Sequence, residues 1–209
     1  IGAPGEDSLT VVSGNDGEGI AIFGTGATVL TAYVGLAADG VTAVPNKGQA
    51  GIDVGGNGCT IGSPGNDSLT VVSGNSGYGI YISSTGGTVL NAHVGVAADG
   101  TTAVPNMGTR GVYVDTTAAN CTIGAPGEGS LVVVSGNGIY GIRCIASHVT
   151  IVNAYVGVAA DGRTPVPNGA DGIFFLSTAV HARVGVPSTD PPSTFNHQHS
   201  RVVVSGNSD

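Results

Sequence analysis

The chain has 209 residues, of which 37 are Gly and only 10% are charged. With 41% apolar residues it is too hydrophobic to be intrinsically disordered, and with three Glu and one Lys it lacks the residues that helices use most. The formal net charge is −8 and only six residues are Lys or Arg, so nucleic acid is not an expected partner. No apolar run reaches the roughly eighteen residues of a membrane span, and none is predicted.

The dominant feature is a long internal repeat of 60 to 62 residues. The opening segment IGAPGEDSLTVVSGN recurs with few changes from Ile61 and from Ile123, and a degenerate copy begins at Val184. This pattern predicts one repeat domain over 1–209. Its parts are 1–60, 61–122, 123–183 and a partial repeat at 184–209, with an inserted Pro-rich loop at about 187–200.

Each long repeat divides into two half-repeats of about 30 residues. In chain order, a half-repeat opens on an aliphatic–Gly pair, as at Ile1-Gly2 or Val34-Gly35, and reaches a Gly–aliphatic pair such as Gly19-Ile20. Short runs rich in Val, Ile, Thr and Tyr, such as 88–95 and 111–114, are bounded by Gly, Asn, Asp or Pro. Between the two pairs lies an Asn that recurs seven times, as Asn15, Asn46, Asn75, Asn106, Asn137, Asn168 and Asn207.

Three short strands per unit of about 30 residues predict an all-β fold, a parallel β-helix of about seven coils stacked about 4.8 Å apart. Equivalent residues of successive coils lie above one another, so the seven Asn are expected to form a hydrogen-bonded ladder. The runs 71–75, 77–82 and 91–95 resemble the right-handed parallel β-helix repeat proteins with pectate-lyase-like folds, in particular the long extracellular chains. The resemblance implies a right-handed solenoid, and such repeats occur in carbohydrate-active enzymes, adhesins, cell-wall components and fibrous appendages.

The acidic residues follow the repeat without forming a catalytic pattern. Asp39, Asp99 and Asp161 each occupy an Ala-Ala-Asp-Gly turn and recur every second coil, about 9.6 Å apart. His197 and His199 could place two imidazoles on one side of an extended segment, but no third ligand accompanies them. We therefore predict no metal, no cofactor and no enzymatic activity.

The three Cys are predicted to be buried thiols. Cys59 and Cys121 align in the half-repeats with Ala32, Ala92, Ala154 and Ala182, and they lie two coils apart, too far for a disulfide. Cys144 aligns with aliphatic residues of the neighbouring coils and is expected to behave as a small core residue.

Two sequons, Asn66-Asp67-Ser68 and Asn120-Cys121-Thr122, match the N-glycosylation pattern. If the chain enters a eukaryotic secretory pathway, Asn66 and Asn120 are candidate acceptors. Attached sugars would fit an extracellular or cell-surface protein.

The preferred functional expectation is a structural rod that self-associates end to end. The sequence opens on a strand marker and stops where another strand would follow, so Ile1 and the run Val202, Val203 and Val204 are the expected end-to-end interface. The partner is expected to be the chain itself, head to tail, as a homopolymer or as the continuation of a longer repeat chain; glycans stay open as further partners.

A carbohydrate-binding or polysaccharide-degrading β-helix is the alternative. Ice binding is a third, because Thr42, Thr102 and Thr164 recur, although the row of Thr10 and Thr70 is interrupted by Val132 and Val202.

Overall fold

A computed structural model of the chain describes residues 1–5, 8–65, 68–185, 202–205 and 207. In this part of the chain the regular structure consists of short β-strands without an α-helix. The strands are β1 (Thr10–Val12), β2 (Ile20–Ile22), β3 (Thr28–Val29), β4 (Ala32–Val34), β5 (Ala50–Val54), β6 (Thr60–Ile61), β7 (Thr70–Val72), β8 (Tyr78–Ile82), β9 (Thr88–Val89), β10 (Ala92–Val94), β11 (Arg110–Val114), β12 (Thr122–Ile123), β13 (Val132–Val134), β14 (Tyr140–Cys144), β15 (Thr150–Ile151), β16 (Ala154–Val156), β17 (Ile173–Phe175), β18 (Arg183–Val184) and β19 (Val202–Val204).

Three parallel sheets run side by side along one axis. Sheet A has the order β1-β4-β7-β10-β13-β16-β19, sheet B the order β2-β5-β8-β11-β14-β17, and sheet C the order β3-β6-β9-β12-β15-β18. The chain therefore visits the three sheets in turn, and each strand pairs in parallel with the strand one coil earlier and one coil later. This is the parallel β-helix that the repeat predicted, and it is the right-handed solenoid that the resemblance implied.

The core is a narrow column inside the coils. Alternate residues of each strand point inward: in β2, Ile20 and Ile22 are buried while Ala21 is exposed. Inward positions of the central coils carry mostly Val and Ile, and Ile52, Ile80 and Ile123 are fully buried. Because the column is narrow and each strand contributes only a few inward side chains, compact β-branched residues fill it and larger aromatic residues do not.

The half-repeat alignment from sequence was wrong in one respect. The run 88–95 is not one strand: it divides into β9 of sheet C and β10 of sheet A, and Asn91 makes the corner with φ of 40°. The aliphatic–Gly pairs likewise alternate between sheets, since Val34-Gly35 ends β4 and Ile61-Gly62 ends β6. Alternate strands of both sheets, such as β4 and β6, are followed by a Gly of positive φ, so the two kinds of corner look alike in the sequence.

Sheet A carries a second layer on its outer face. The middle residues of its strands point away from the main core, yet Val71 and Val133 are fully buried. They are covered by the loops that follow β4, β10 and β16, through Leu36, Val96 and their neighbours. Val72 and Val134 point into the main core. Both successive Val of each of these Val-Val-Ser-Gly-Asn runs are therefore buried, one under the loops and one in the main core.

Candidate interaction surfaces

The seven repeated Asn form one hydrogen-bonded ladder at the corner between sheets A and B. In six successive steps, Nδ2 of each Asn donates to Oδ1 of the next at 2.8–3.1 Å. A central member such as Asn106 also donates to the carbonyl of Val72 at 2.9 Å and accepts the backbone N–H of Asn75 at 3.1 Å. All steps run in one direction, so the ladder is polar: Asn15 presents its side-chain carbonyl at one end and Asn207 its amide at the other.

Both end coils expose apolar side chains and strand edges. Ile1 lies beside β3, because its terminal amino group donates to the carbonyl of Thr28 at 2.7 Å and its carbonyl accepts the N–H of Leu30 at 2.8 Å. At the other end, Val202, Val203 and Val204 form β19, which pairs with β16. Eight of the eleven large hydrophobic residues that are exposed in the described chain belong to the first or last coils: Ile1, Leu9, Val11, Phe23, Leu176, Val180, Val184 and Val204.

The outer face of sheet B carries most of the aromatic residues of the chain. We call it the aromatic face and define it by Tyr78, Tyr81, Tyr113, Tyr140 and Phe174 together with Arg110 and Arg143. One row runs straight across the strands in register, as Ala21, Asp53, Tyr81, Tyr113, Arg143 and Phe174. A second row, two residues further along each strand, holds Phe23, Gly55, Ser83, Asp115, Ile145 and Leu176.

The two guanidinium groups of the aromatic face lie on rings. Cζ of Arg110 is 4.2 Å from the ring centroid of Tyr113 and 4.9 Å from that of Tyr78, and its Nη1 donates to the hydroxyl of Tyr78 at 2.5 Å. Arg143 lies 5.7 Å from the rings of Tyr113 and Phe174. Neither group has a carboxylate partner, because Lys47–Asp16 is the one salt bridge among the described residues.

Acidic residues border the aromatic face. Asp115 accepts the hydroxyls of Tyr81 at 2.6 Å and Tyr113 at 3.0 Å. Burial alone would raise the pKa of Asp115, but these hydrogen bonds and the N–H of Thr116 hold it below its usual value. The pKa of Tyr81 is raised, first by burial and then by its bond to Asp115. Burial, followed by the charge of Glu18, raises the pKa of Asp53, whose Oδ1 has no hydrogen-bond partner among the described residues.

The aromatic face was not predicted, because its two Arg stand at different places in their half-repeats: Arg110 directly before a Gly and Arg143 two residues after one. The signal was present in the strands of sheet B, which read Tyr-Gly-Ile-Tyr from Tyr78, Arg-Gly-Val-Tyr from Arg110 and Tyr-Gly-Ile-Arg from Tyr140. Aligning these runs by their Gly gives two columns, one from Tyr78 and one from Tyr81. Strict alternation would place these columns on opposite faces, but two consecutive buried residues, Gly79 and Ile80, bring both to the outer face.

The repeated Asp-Gly turns bind their own backbone. In the second of the three turns, Oδ1 of Asp99 accepts the N–H groups of Thr101 and Thr102 at 2.7 and 2.8 Å, and Oδ2 accepts the Thr102 hydroxyl at 2.6 Å. Asp39 and Asp161 make the same bonds in their loops. The lowered pKa of these carboxyls follows from these bonds. Their oxygens are engaged in turn formation, as the Asp-Gly pattern predicted.

A row of Thr on sheet C was also missed. Thr28, Thr60, Thr88, Thr122 and Thr150 face outward in register. The strands of sheet C have two residues each, so only one of them points outward and the row has no parallel neighbour. Thr42, Thr102 and Thr164, which raised the question of ice binding, instead donate their hydroxyls to the Asp-Gly carboxylates.

The histidines occupy three kinds of place. His93 takes the position of Tyr33 and Tyr155 on sheet A, where burial lowers its pKa and Nδ1 lies 3.1 Å from the carbonyl of Ala97. His148 and His181 stack with ring centroids 4.7 Å apart beside an open cavity of about 320 Å³. His197 and His199 lie outside the described residues. Within the described ranges, no three His, Cys, Asp or Glu side chains are placed to hold a metal.

All three Cys are buried with free thiols. The alignment of Cys59 and Cys121 was wrong: their column is Ala27, Gly87, Val149 and Ala182 on sheet C, whereas Ala32, Ala92 and Ala154 lie on sheet A. Burial raises the pKa of Cys144 to about 11.

Of the two sequons, Asn120 is exposed at a corner with φ of 53°. Asn66 lies outside the described residues. No membrane-crossing helix is found in the part of the chain that the structure describes. Comparison with protein families, with curated proteins and with solved structures gives no match to this chain.

Proposed function

We propose that the chain is a structural, self-associating extracellular rod that stacks end to end into a fibril, an appendage or a cell-surface layer. The observation that carries the proposal is the concentration of exposed apolar residues and strand edges on the end coils, among them Val11 and Val204. An exposed strand edge next to apolar side chains is a template for another strand. The sequence resemblance to extracellular pectate-lyase-like repeat proteins of the fibrous type supports the same role.

Sheet A supplies the geometry of the contact. The N–H of Thr10 donates to Thr31 at 2.9 Å and the carbonyl of Val12 accepts from Gly35 at 3.1 Å, so both groups face β4. In a parallel ladder the residue between them, Val11, turns its own peptide groups to the opposite side, which is the open edge. A second copy with its β1 beside β19 would use those groups, and Asn15 would continue the Asn ladder.

Such a stack extends the other two sheets differently. Sheet C would continue from β18 to the Ile1 segment of the next copy, while sheet B would have room for one more strand. In a longer chain, the following segment would supply that strand covalently, and the architectural role would be the same. The axial repeat of a homopolymer would be seven strands of sheet A, about 34 Å.

The assembly is tested by light scattering and sedimentation of the purified chain and of two variants. Val11→Pro removes the N–H at the open edge without removing a bond to β4, and it should abolish large assemblies. Val11→Thr retains the N–H and a β-branched side chain, and it should assemble as the unchanged protein does. Equal assembly of both variants would refute an interface through β1.

A second pair of variants tests the opposite end. Val204 is 49% exposed and Val41, on a loop of sheet A, is 44% exposed. Val204→Lys should suppress assembly because it places a charge in the contact, whereas Val41→Lys should not. The extracellular part of the proposal is tested by expression in a secretory host: a mass decrease on Asn120→Gln would demonstrate glycosylation at the exposed sequon.

The alternatives have their own assays. Turnover of a polysaccharide by the purified chain would replace the structural proposal with a catalytic one. Thermal hysteresis that is lost on replacing Thr88 and Thr122 by Val would favour ice binding through sheet C.

A further inference from the structure

We propose that the aromatic face pairs two copies of the chain side by side, face to face and antiparallel. The inference is separate from end-to-end stacking, because it uses the outer face of sheet B and none of the end edges. Phe23 and Leu176 belong to the end coils, but they lie in the second row of this outer face. The inference rests on the order of side chains along the central row, which reads Asp53, Tyr81, Tyr113 and Arg143 on four neighbouring strands.

This row is complementary to its own reverse. A two-fold axis that lies in the contact plane, parallel to the strands and between β8 and β11, reverses the order of the coils but keeps each position along a strand. Under this operation Asp53 faces Arg143 of the second copy, and Tyr81 faces Tyr113 of the second copy. Because the contact is isologous, each charge pair occurs twice.

The second row obeys the same operation. Phe23, 75% exposed beside β2, comes opposite Leu176 of the second copy, 38% exposed beside β17. Two of the exposed apolar residues of the chain would thus cover each other at each end of the pair. At the margin, Glu18 comes opposite Asp171 of the second copy, where water and salt screen the like charges.

In a single chain these charges have no counterpart. Asp53 and Arg143 stand three strands apart, about 14 Å, too far for an ion pair. Oδ1 of Asp53 is covered and has no hydrogen-bond partner among the described residues. Arg143 has rings but no carboxylate beside it. A paired copy would place an opposite charge beside each of these half-buried side chains. The accessible atoms of the two groups would make the contact, since Oδ1 of Asp53 is already covered by its own chain.

The arrangement is specific to the antiparallel orientation. If two copies met with their axes parallel, each strand would face the same strand of the second copy. Asp53 would then lie nearest the strand that carries the same acidic residue. Like charges across an interface disfavour that orientation.

The size of the face fits a weak but specific dimer. Six strands at about 4.8 Å and a width of about five residues give roughly 450 Å² per copy, or about 900 Å² in total. This is below the roughly 1,200 Å² of standard specific interfaces and within the range of weak, transient ones, so dissociation in the micromolar range is expected.

Charge reversal provides a test that only this register passes. We would measure the mass of the full chain by analytical ultracentrifugation from about 1 µM to about 200 µM. All proteins would carry Val11→Pro, which removes end-to-end assembly and leaves the aromatic face intact. The parent should reach twice the mass of the 20.3 kDa chain.

Asp53→Arg and Arg143→Asp should each weaken self-association at least about 100-fold, because each creates two like-charge contacts. An equimolar mixture of the two variants should form a 1:1 dimer, since all four facing charges are then opposite. The double swap, Asp53→Arg with Arg143→Asp, should restore self-association. Arg163→Asp, on an exposed loop away from sheet B, is the matched control and should dimerise as the parent does.

The proposal is overturned if the parent remains a monomer over the whole concentration range. A monomer that binds a soluble glycan through Tyr81 would be one such result. The proposal is also overturned if both single variants dimerise like the parent or if their mixture does not associate. Circular dichroism of each variant checks that the fold is intact; should a single variant unfold, association of the folded double swap decides. Lateral pairing that survives Val11→Pro while filaments disappear separates this proposal from the end-to-end one.

Discussion

Removal of one central Asn from the ladder should cost the rod a large part of its stability. Asn106 is fully buried and makes four hydrogen bonds: it donates to Val72 and Asn137 and accepts the backbone and side-chain N–H groups of Asn75. Asn106→Ala removes all four. Two buried groups then lose their sole partner among the described residues, namely the N–H of Asn75 and Oδ1 of Asn137.

The expected magnitude follows from those two groups. Leaving a buried polar group unsatisfied costs about 1–3 kcal/mol, so the substitution should lower the free energy of unfolding by about 4 kcal/mol. For a chain of this length, that corresponds to a fall in melting temperature of about 10 °C. The other two partners lose less, because Val72 still accepts from Gly95 and the side chain of Asn75 still donates to Val34.

Asn15→Ala is the matched control, since it makes the same substitution in the same column at the exposed first coil. It removes one side-chain hydrogen bond, and Oδ1 of Asn46 still accepts the backbone N–H of residue 15. Its cost should not exceed about 1 kcal/mol. Thermal and urea unfolding followed by circular dichroism would compare the two variants. Equal destabilisation of both would refute the argument that the buried ladder holds the coils together.

Three further predictions concern corners, acid stability and thiols. In urea unfolding, Gly62→Ala should lower the free energy of unfolding by at least about 2 kcal/mol more than Gly58→Ala. Both Gly have positive φ, but only at Gly62 would an added Cβ overlap a carbonyl, that of Leu90. Equal losses in the two variants would contradict this reasoning. Burial alone would raise the pKa of Asp99, but the hydrogen bonds of its turn hold that pKa at about 2. The stability that the ionised carboxylate contributes is therefore complete above about pH 4 and is lost as the pH falls toward 2. Asp99→Asn should make the melting temperature depend less on pH over that range, and an unchanged pH dependence would contradict the prediction. All three Cys should resist a thiol reagent at pH 8 and react in concentrated guanidinium chloride, because they are buried and the pKa of Cys144 is raised to about 11; rapid labelling of the folded chain would show that the core is open.

The parts of the fold that repeat once per coil could be predicted from the sequence. The Asn residues return at every coil and at one corner, so their spacing alone indicated a column. The strands of sheets A and C could not be separated in the same way, because Val34-Gly35 and Ile61-Gly62 have the same residue types and the same function at a corner. Coils also alternate, since only every second one carries the loop over sheet A, and this obscured the register.

The aromatic face was beyond the sequence argument for a different reason. Its rows do not repeat one residue: the central row reads Asp53, Tyr81, Tyr113 and Arg143 on four neighbouring strands, so the residue type is kept at only one step. A search for identical residues at a fixed period finds structural positions, which tolerate only one residue type. Positions that face solvent vary, and only the pairing of the strands reveals that they are neighbours.

Electron microscopy of the purified chain over a range of concentrations would show whether the rod extends end to end. End-to-end stacking should give unbranched filaments that lengthen with concentration and have an axial repeat of about 34 Å, the height of seven strands of sheet A. These filaments should be absent from Val11→Pro and present in Val11→Thr. Dispersed single rods at every concentration would show that the chain does not stack end to end.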